Sequence, residues 1–221
     1  MIRFNNDYNH GTHASILEAL EEINETSYAG YGEDEWCQRG ADEIRKYLDN
    51  VDGARLGYWL SCDECDVTLE DLTNIADVFY IGGTKCGALF GEALVIVNKK
   101  LRDHFRTYMK QSGGILAKGW LLGLQFYTLF KNGLYFELTK HADELAMKLK
   151  QGFHNASIPF YMDSPTNQQF VILTNKLAEK LSKEFTYEFD HVVDDEHICV
   201  RFCTSWSTSE DDVDKLLEFL S

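Results

Sequence analysis

A chain of 221 residues, 44% hydrophobic, 13% aromatic and 26% charged, has an ordinary globular composition and can bury a sizeable core without disulfides. Its 21 Lys and Arg face 36 Asp and Glu, and the net charge of -15 repels phosphate backbones and anionic lipid, which argues against nucleic-acid and membrane-surface binding. No apolar run opens the chain and none is long enough to span a bilayer, so the expectation is a cytoplasmic protein whose cysteines are free thiols.

In chain order, Ile16, Leu17, Leu20 and Ile23 form an apolar stripe opposite Glu18, Glu21, Glu22 and Glu25, which predicts a helix over 14–26. A glycine-broken loop over 28–35, rich in tyrosine and acid, leads into a second helix over 34–48. Within 67–76 a short helix is expected, with Thr68 as cap and Asp71 in the capping-box position. Two apolar strands follow, 77–81 ended by Gly82-Gly83 and 93–97, predicted to lie side by side and antiparallel. The stretch 99–133 reads as mostly helical with a break at Ser112-Gly113-Gly114. A clearer helix over 134–153 sets Leu138, His141, Leu145 and Leu149 on one side. Beyond residue 160 the pattern shortens: a strand at 169–173, a helix at 175–185, a strand at 197–203 and a last helix at 210–220 capped by Ser209. The fold class is therefore α/β, with a large domain over 1–130 and a small α+β domain over 131–221.

No metal site is expected. Cys62 and Cys65 have zinc-knuckle spacing without a second pair and read as a surface turn, while Cys199 and Cys203 read as packed small hydrophobes on one strand face.

The strongest chemical feature is Ile81-Gly82-Gly83-Thr84-Lys85-Cys86-Gly87-Ala88. Lys85 falls at the carboxyl end of a strand, where α/β sheets bind ligands, and small neighbours let a planar ligand approach the backbone. A desolvated lysine amine forms an imine with an aldehyde; a surface turn lysine is the plainer alternative. In Asp52-Gly53-Ala54-Arg55 an acid and a guanidinium stand three apart. They form either a local ion pair, or an acid for a protonated pyridine nitrogen together with a cation facing an anion.

Asp52-Gly53-Ala54-Arg55-Leu56-Gly57-Tyr58 and Asp77-Val78-Phe79-Tyr80-Ile81-Gly82-Gly83-Thr84-Lys85-Cys86-Gly87-Ala88 together resemble the low-specificity L-threonine aldolases, pyridoxal-phosphate enzymes of the β-eliminating lyase group and fold type I. Phe4-Asn5-Asn6-Asp7-Tyr8, Gly30-Tyr31-Gly32-Glu33-Asp34 and Val200-Arg201-Phe202-Cys203-Thr204-Ser205-Trp206 are similar to further segments of that family, in the same order. The resemblance implies pyridoxal 5'-phosphate as cofactor. It makes Lys85 the catalytic, imine-forming lysine, pairs Asp52 with the pyridine nitrogen and turns Arg55 toward an anion. It also has Thr84 orient the lysine or the ring oxygen, and gives Arg201 and Asn6 to a small amino-acid substrate. His10 and His13 are each either a proton carrier or a packed or solvated histidine; Lys110 is either a phosphate contact across a subunit interface or a solvated helix lysine. A homodimer or homotetramer is implied, with the 28–35 loop and Met109-Lys110-Gln111 reaching a neighbour's site.

Between Leu48 and Asp52 the chain departs from the family pattern, which has there a glycine–threonine phosphate turn, several strand–helix units and a histidine that stacks on the ring. The large domain is accordingly expected to be truncated, with weak or lost cofactor affinity and no ordered phosphate cradle near Lys85. Two functions remain open. One is a lyase cleaving β-hydroxy-α-amino acids to glycine and an aldehyde; the other is a catalytically silent, self-associating remnant of that family.

Overall fold

The alternation of apolar residues along 168–174 and 197–203 builds the centre of an antiparallel sheet, and the helical stripes of 134–155 and 210–220 supply its cover. The computed structural model describes residues 1–49, 58, 61, 62 and 64–220. Its elements are β1 (Ile2–Arg3), α1 (Ala14–Ile23), α2 (Glu35–Asp49), α3 (Leu69–Ile75), β2 (Val78–Gly82), β3 (Glu92–Ile96), α4 (Phe105–Gln111), α5 (Trp120–Phe130), α6 (Leu134–Asn155), β4 (Phe160–Met162), β5 (Gln168–Thr174), α7 (Asn175–Leu181), β6 (Phe185–Thr186), β7 (Glu188–Val192), β8 (His197–Cys203) and α8 (Glu210–Leu220). Short 3-10 turns occupy Thr84–Cys86 and Lys99–Leu101.

The chain packs as two compact units. One takes in Met1–His10, Ser61–Cys65 and everything from Leu138 onward; the other comprises Gly11–Leu60 and Asp66–Glu137. In the first, β4, β5, β8 and β7 lie in that order, all antiparallel, with Val171 opposite Val200 and Ile172 opposite Cys199. Period two sends Val200 and Phe202 of β8 and Val171 and Leu173 of β5 to one face. There they meet Leu145, Leu149 and Phe153 of α6, Leu181 of α7, and Val213 and Leu216 of α8. Each such side chain removed from water contributes roughly 1.5–3 kcal/mol before conformational entropy is subtracted.

The first ten residues belong to this unit through backbone pairing. β1 runs parallel to β6, Ile2 beside Phe185, and the Cys203 N–H donates to the Phe4 carbonyl at 2.7 Å. Phe4 is fully buried, its ring centroid 6.4 Å from that of Phe185 and 6.1 Å from that of Phe202. This pairing shortens the helix expected over 175–185: α7 ends at Leu181, and Phe185 turns into β6.

In the second unit β2 and β3 form the antiparallel hairpin expected, with Val78 opposite Ile96 and Gly82 opposite Glu92. Among the described residues this sheet has two strands. A cavity of about 760 Å³ runs along β3, bounded by α2 and α5 and lined by Ala41, Ile44, Leu94, Ile96, Leu122 and Phe126. α2 and α5 cross at glycine: a Cβ on Gly123 would stand 2.3 Å from the Cys37 nitrogen, and one on Gly40 would stand 2.6 Å from the Gly123 carbonyl oxygen. Beside this crossing the Arg39 guanidinium lies 4.2 Å from the ring centroids of both Trp36 and Tyr127 and donates to the Tyr127 hydroxyl at 2.6 Å. Asp34 caps α2 by accepting from the Cys37 N–H at 2.8 Å. Burial, reinforced by that carboxylate, pushes the Cys37 thiol up to about 12.

The local signals hold elsewhere. Thr68 and Asp71 form the capping box of α3, and Ser209 accepts from the Asp212 N–H at the start of α8. Cys199 and Cys203 are buried as expected. Cys62 and Cys65 are buried too, instead of lying on a surface turn, because thiols partition inward like small apolar groups.

Since any side chain at position 123 meets the backbone of α2, Gly123→Ala should destabilise the protein by about 1–3 kcal/mol in urea unfolding, although alanine is the better helix former.

Candidate functional site

The lysine loop belongs to the second unit. β2 ends at Gly82, the 3-10 turn Thr84–Cys86 follows, and Gly87 closes it with φ 94, a left-handed conformation that glycine adopts freely. The loop backbone is fixed at several points. The Gly82 carbonyl accepts from the Tyr135 hydroxyl at 2.9 Å, and the Gly83 carbonyl accepts from the N–H groups of Cys86 at 2.9 Å and Ala88 at 3.0 Å. Gly87 offers its carbonyl to the Thr12 hydroxyl at 2.8 Å and the His13 N–H at 2.9 Å. Buried Gln125 accepts from the Leu89 N–H at 2.7 Å, and the Tyr58 hydroxyl donates to the Lys85 carbonyl.

Lys85 and Thr84 point outward from this fixed turn and are exposed, while Cys86 and Ala88 face inward. Packing accounts for part of the small-residue pattern. A Cβ on Gly83 would sit 2.9 Å from both the Ala88 Cβ and the Gly91 carbonyl oxygen and 3.1 Å from the Phe126 ring. Asp52 and Arg55 lie outside the described residues.

Arg201 and Asn6 belong to the first unit. Arg201 stands on β8 between Phe170 of β5 and Glu188 of β7, on the face opposite Val200 and Phe202. Its Nε is buried and has no hydrogen-bond partner among the described residues. A guanidinium N–H removed from water without an acceptor is costly, and an incoming carboxylate cancels that cost. Asn6 Oδ1 accepts from the N–H groups of Tyr8 and Asn9, at 3.3 and 3.1 Å, and so shapes the chain that follows β1.

Two residues that sequence reasoning did not single out hold this region together. Asn167, 3% exposed, donates to the Asp7 carboxylate at 3.1 Å and to the Thr204 carbonyl at 2.9 Å. Thr204 in turn donates to the Ala142 carbonyl at 2.7 Å. A lone Asn in a loop carries no signal of this; only tertiary burial reveals it.

The histidines separate. His13 caps α1, its Nδ1 accepting from the Ser15 N–H at 3.3 Å, whereas His10 is exposed and meets Trp206 edge-on at 6.2 Å. Lys110 is exposed on α4, its Nζ 5.2 Å from the Tyr31 ring. The 28–35 loop is tied to α4 in the same chain, since Arg106 donates to the Tyr31 carbonyl at 2.6 Å and pairs with Glu33 at 3.0 Å.

The chain superimposes on threonine aldolase of Leishmania major with a TM-score of 0.92 and 26% identity, over 100% of this chain and 98% of that one. A low-specificity L-threonine aldolase of a Pseudomonas species is 33% identical over 102 residues. The chain is thus similar to threonine aldolases in fold over its full length and in sequence over part of it. Its structural neighbours share the fold-type-I architecture. Aspartate aminotransferase of Thermus thermophilus shares the fold at a TM-score of 0.60 and 10% identity, over 98% of this chain and 94% of that one. The Pseudomonas match takes in 45% of this chain and 29% of that relative, so the chain spans less than a third of the curated relative it matches. No family model matches the chain.

Replacing Asn167 by Ala takes one donor from buried Asp7 and strands the Thr204 carbonyl. We expect a loss of about 1–3 kcal/mol in thermal or urea unfolding.

Proposed function

We propose that this chain is a threonine-aldolase-like pyridoxal-phosphate lyase that cleaves β-hydroxy-α-amino acids to glycine and an aldehyde. The observation that carries the reading is Arg201, a guanidinium on a strand whose buried Nε has no partner among the described residues and suits a substrate carboxylate. Lys85, exposed on a turn whose backbone is fixed on several sides, is the amine that holds the cofactor aldehyde. When bound, the cofactor supplies an electron sink for the bond broken at the substrate α-carbon. Thr84 would orient the lysine, and Asp52 and Arg55, which lie outside the described residues, would take the ring nitrogen and an anion. Asn6 Oδ1 is taken up by two backbone N–H groups, which leaves its amide nitrogen for the substrate. The β-hydroxyl proton must leave as the carbon–carbon bond breaks. His10 is the better carrier of the two N-terminal histidines, because His13 Nδ1 is committed to capping α1.

Departure from the family pattern between Leu48 and Asp52 removes the phosphate turn, so cofactor affinity should be low and the protein should purify colourless. A homodimer or homotetramer in the cytoplasm fits this reading. Among the described residues, no helix is long and apolar enough to cross a membrane. A second reading, a catalytically silent chain that self-associates, is favoured by one observation: among the described residues the β2–β3 hairpin is a two-stranded sheet with a cavity along β3.

Added pyridoxal phosphate followed by borohydride should label Lys85, and L-threonine should yield glycine and acetaldehyde above a Lys85→Ala control. Arg201→Gln should raise KM about 10–100-fold with a smaller change in kcat. Labelling of scattered surface lysines with Lys85 unmodified, together with turnover equal to the control, would leave the silent reading. Light scattering then measures whether that chain associates.

A further inference from the structure

On the C-terminal sheet, β7 carries an irregularity that sequence periodicity does not foresee. Phe189 stands opposite Val200 and His191 opposite Cys199, so Asp190 is an extra residue in the strand. In a regular strand Asp190 and His191 would point to opposite faces; a bulge sets two successive residues against one partner and re-aims a side chain. Here Asp190 Oδ2 lies 2.6 Å from His191 Nδ1. A carboxylate oxygen of Asp190, a ring nitrogen of His191 and the Cys199 sulfur all lie within 4.8 Å of one another. Cys199 is fully buried, on the face of β8 opposite Val200 and Phe202, whereas Asp190 and His191 leave one side of the group open to solvent. The Tyr161 ring meets the His191 ring edge-on at 4.6 Å and limits its rotation. An ion pair alone explains the 2.6 Å contact. It does not explain why both partners converge on a thiol.

We propose that Asp190, His191 and Cys199 form a zinc site, with a fourth position open to water, separate from the lysine centre. Mixed oxygen, nitrogen and sulfur donors suit zinc, whereas magnesium and calcium take oxygen sets. Zinc bonds of about 2.0–2.3 Å place tetrahedral donors roughly 3.5 Å apart, so donors now up to 4.8 Å apart must draw in while the 2.6 Å contact between Asp190 and His191 opens. Binding forms zinc bonds to a carboxylate oxygen, a ring nitrogen and the Cys199 sulfur, and releases the thiol proton to solvent. Where zinc takes His191 Nδ1, the proton shared with Asp190 moves to Nε2, or to solvent if the imidazole is charged, and no oxidation state changes. Residues of β7 and β8 supply all three donors, so the site would lock the bulged edge strand to its neighbour.

The test is titration of the full, chelator-treated chain with cobalt(II). One equivalent should give a thiolate-to-cobalt charge-transfer band that zinc abolishes by displacement. Cys199→Ser should remove the band, and Cys62→Ser should leave it. His191→Gln, a change at a partly exposed residue that leaves the sheet core intact, should weaken cobalt binding more than about tenfold with an unchanged far-ultraviolet spectrum. A chain that gives no charge-transfer band, or a band whose affinity His191→Gln leaves unaltered, overturns the proposal.

Discussion

The two-residue period of β8 is the constraint on which the C-terminal unit depends. Val200 and Phe202 must face the helices for the apolar core to close, and that requirement alone turns Cys199, Arg201 and Cys203 to the other side. Shifting the pairing by one residue would bury a guanidinium in the core and expose a phenylalanine. Core packing therefore fixes where Arg201 stands. At the end of the strand the Cys203 N–H meets Phe4 and the Thr204 carbonyl meets Asn167, so the N-terminal segment carrying Asn6 and Asp7 is held by the same register.

The second unit achieves fixity differently. Its lysine turn is short, glycine-rich and exposed at the tip, features that ordinarily accompany mobility. Tyr135, Gln125, Thr12 and His13 each spend a hydrogen bond on its backbone instead of on one another. Because the backbone is held, the Cα–Cβ bond of Lys85 leaves the turn in a defined direction although the side chain is exposed.

Local features were legible in the sequence. The helical stripes, the capping box at Thr68 and Asp71, the Ser209 cap and the antiparallel hairpin all rest on residues close in the chain. β1, β4 and β6 are two or three residues long, too short to display a period, and the bulge in β7 breaks the period where it would be read. Buried Asp7, Asn167 and Gln125 gave no sign because their partners lie far away in sequence. The glycine and alanine pattern around Lys85 was visible, but at Gly83 it also answers to Phe126 and Gly91. Arg201 was legible only through family resemblance; its unpartnered Nε is a property of the folded sheet.

The pairing of Ile2 with Phe185 has a consequence for how the protein is made. β1 is synthesised long before its hydrogen-bonding partner β6. Throughout that interval the first segment carries an unpaired backbone and the unburied ring of Phe4. The C-terminal unit cannot mature vectorially from the amino end. It must wait for β6 and then recruit β1 across all the intervening sequence, a long-range closure that slows folding and prolongs exposure to aggregation.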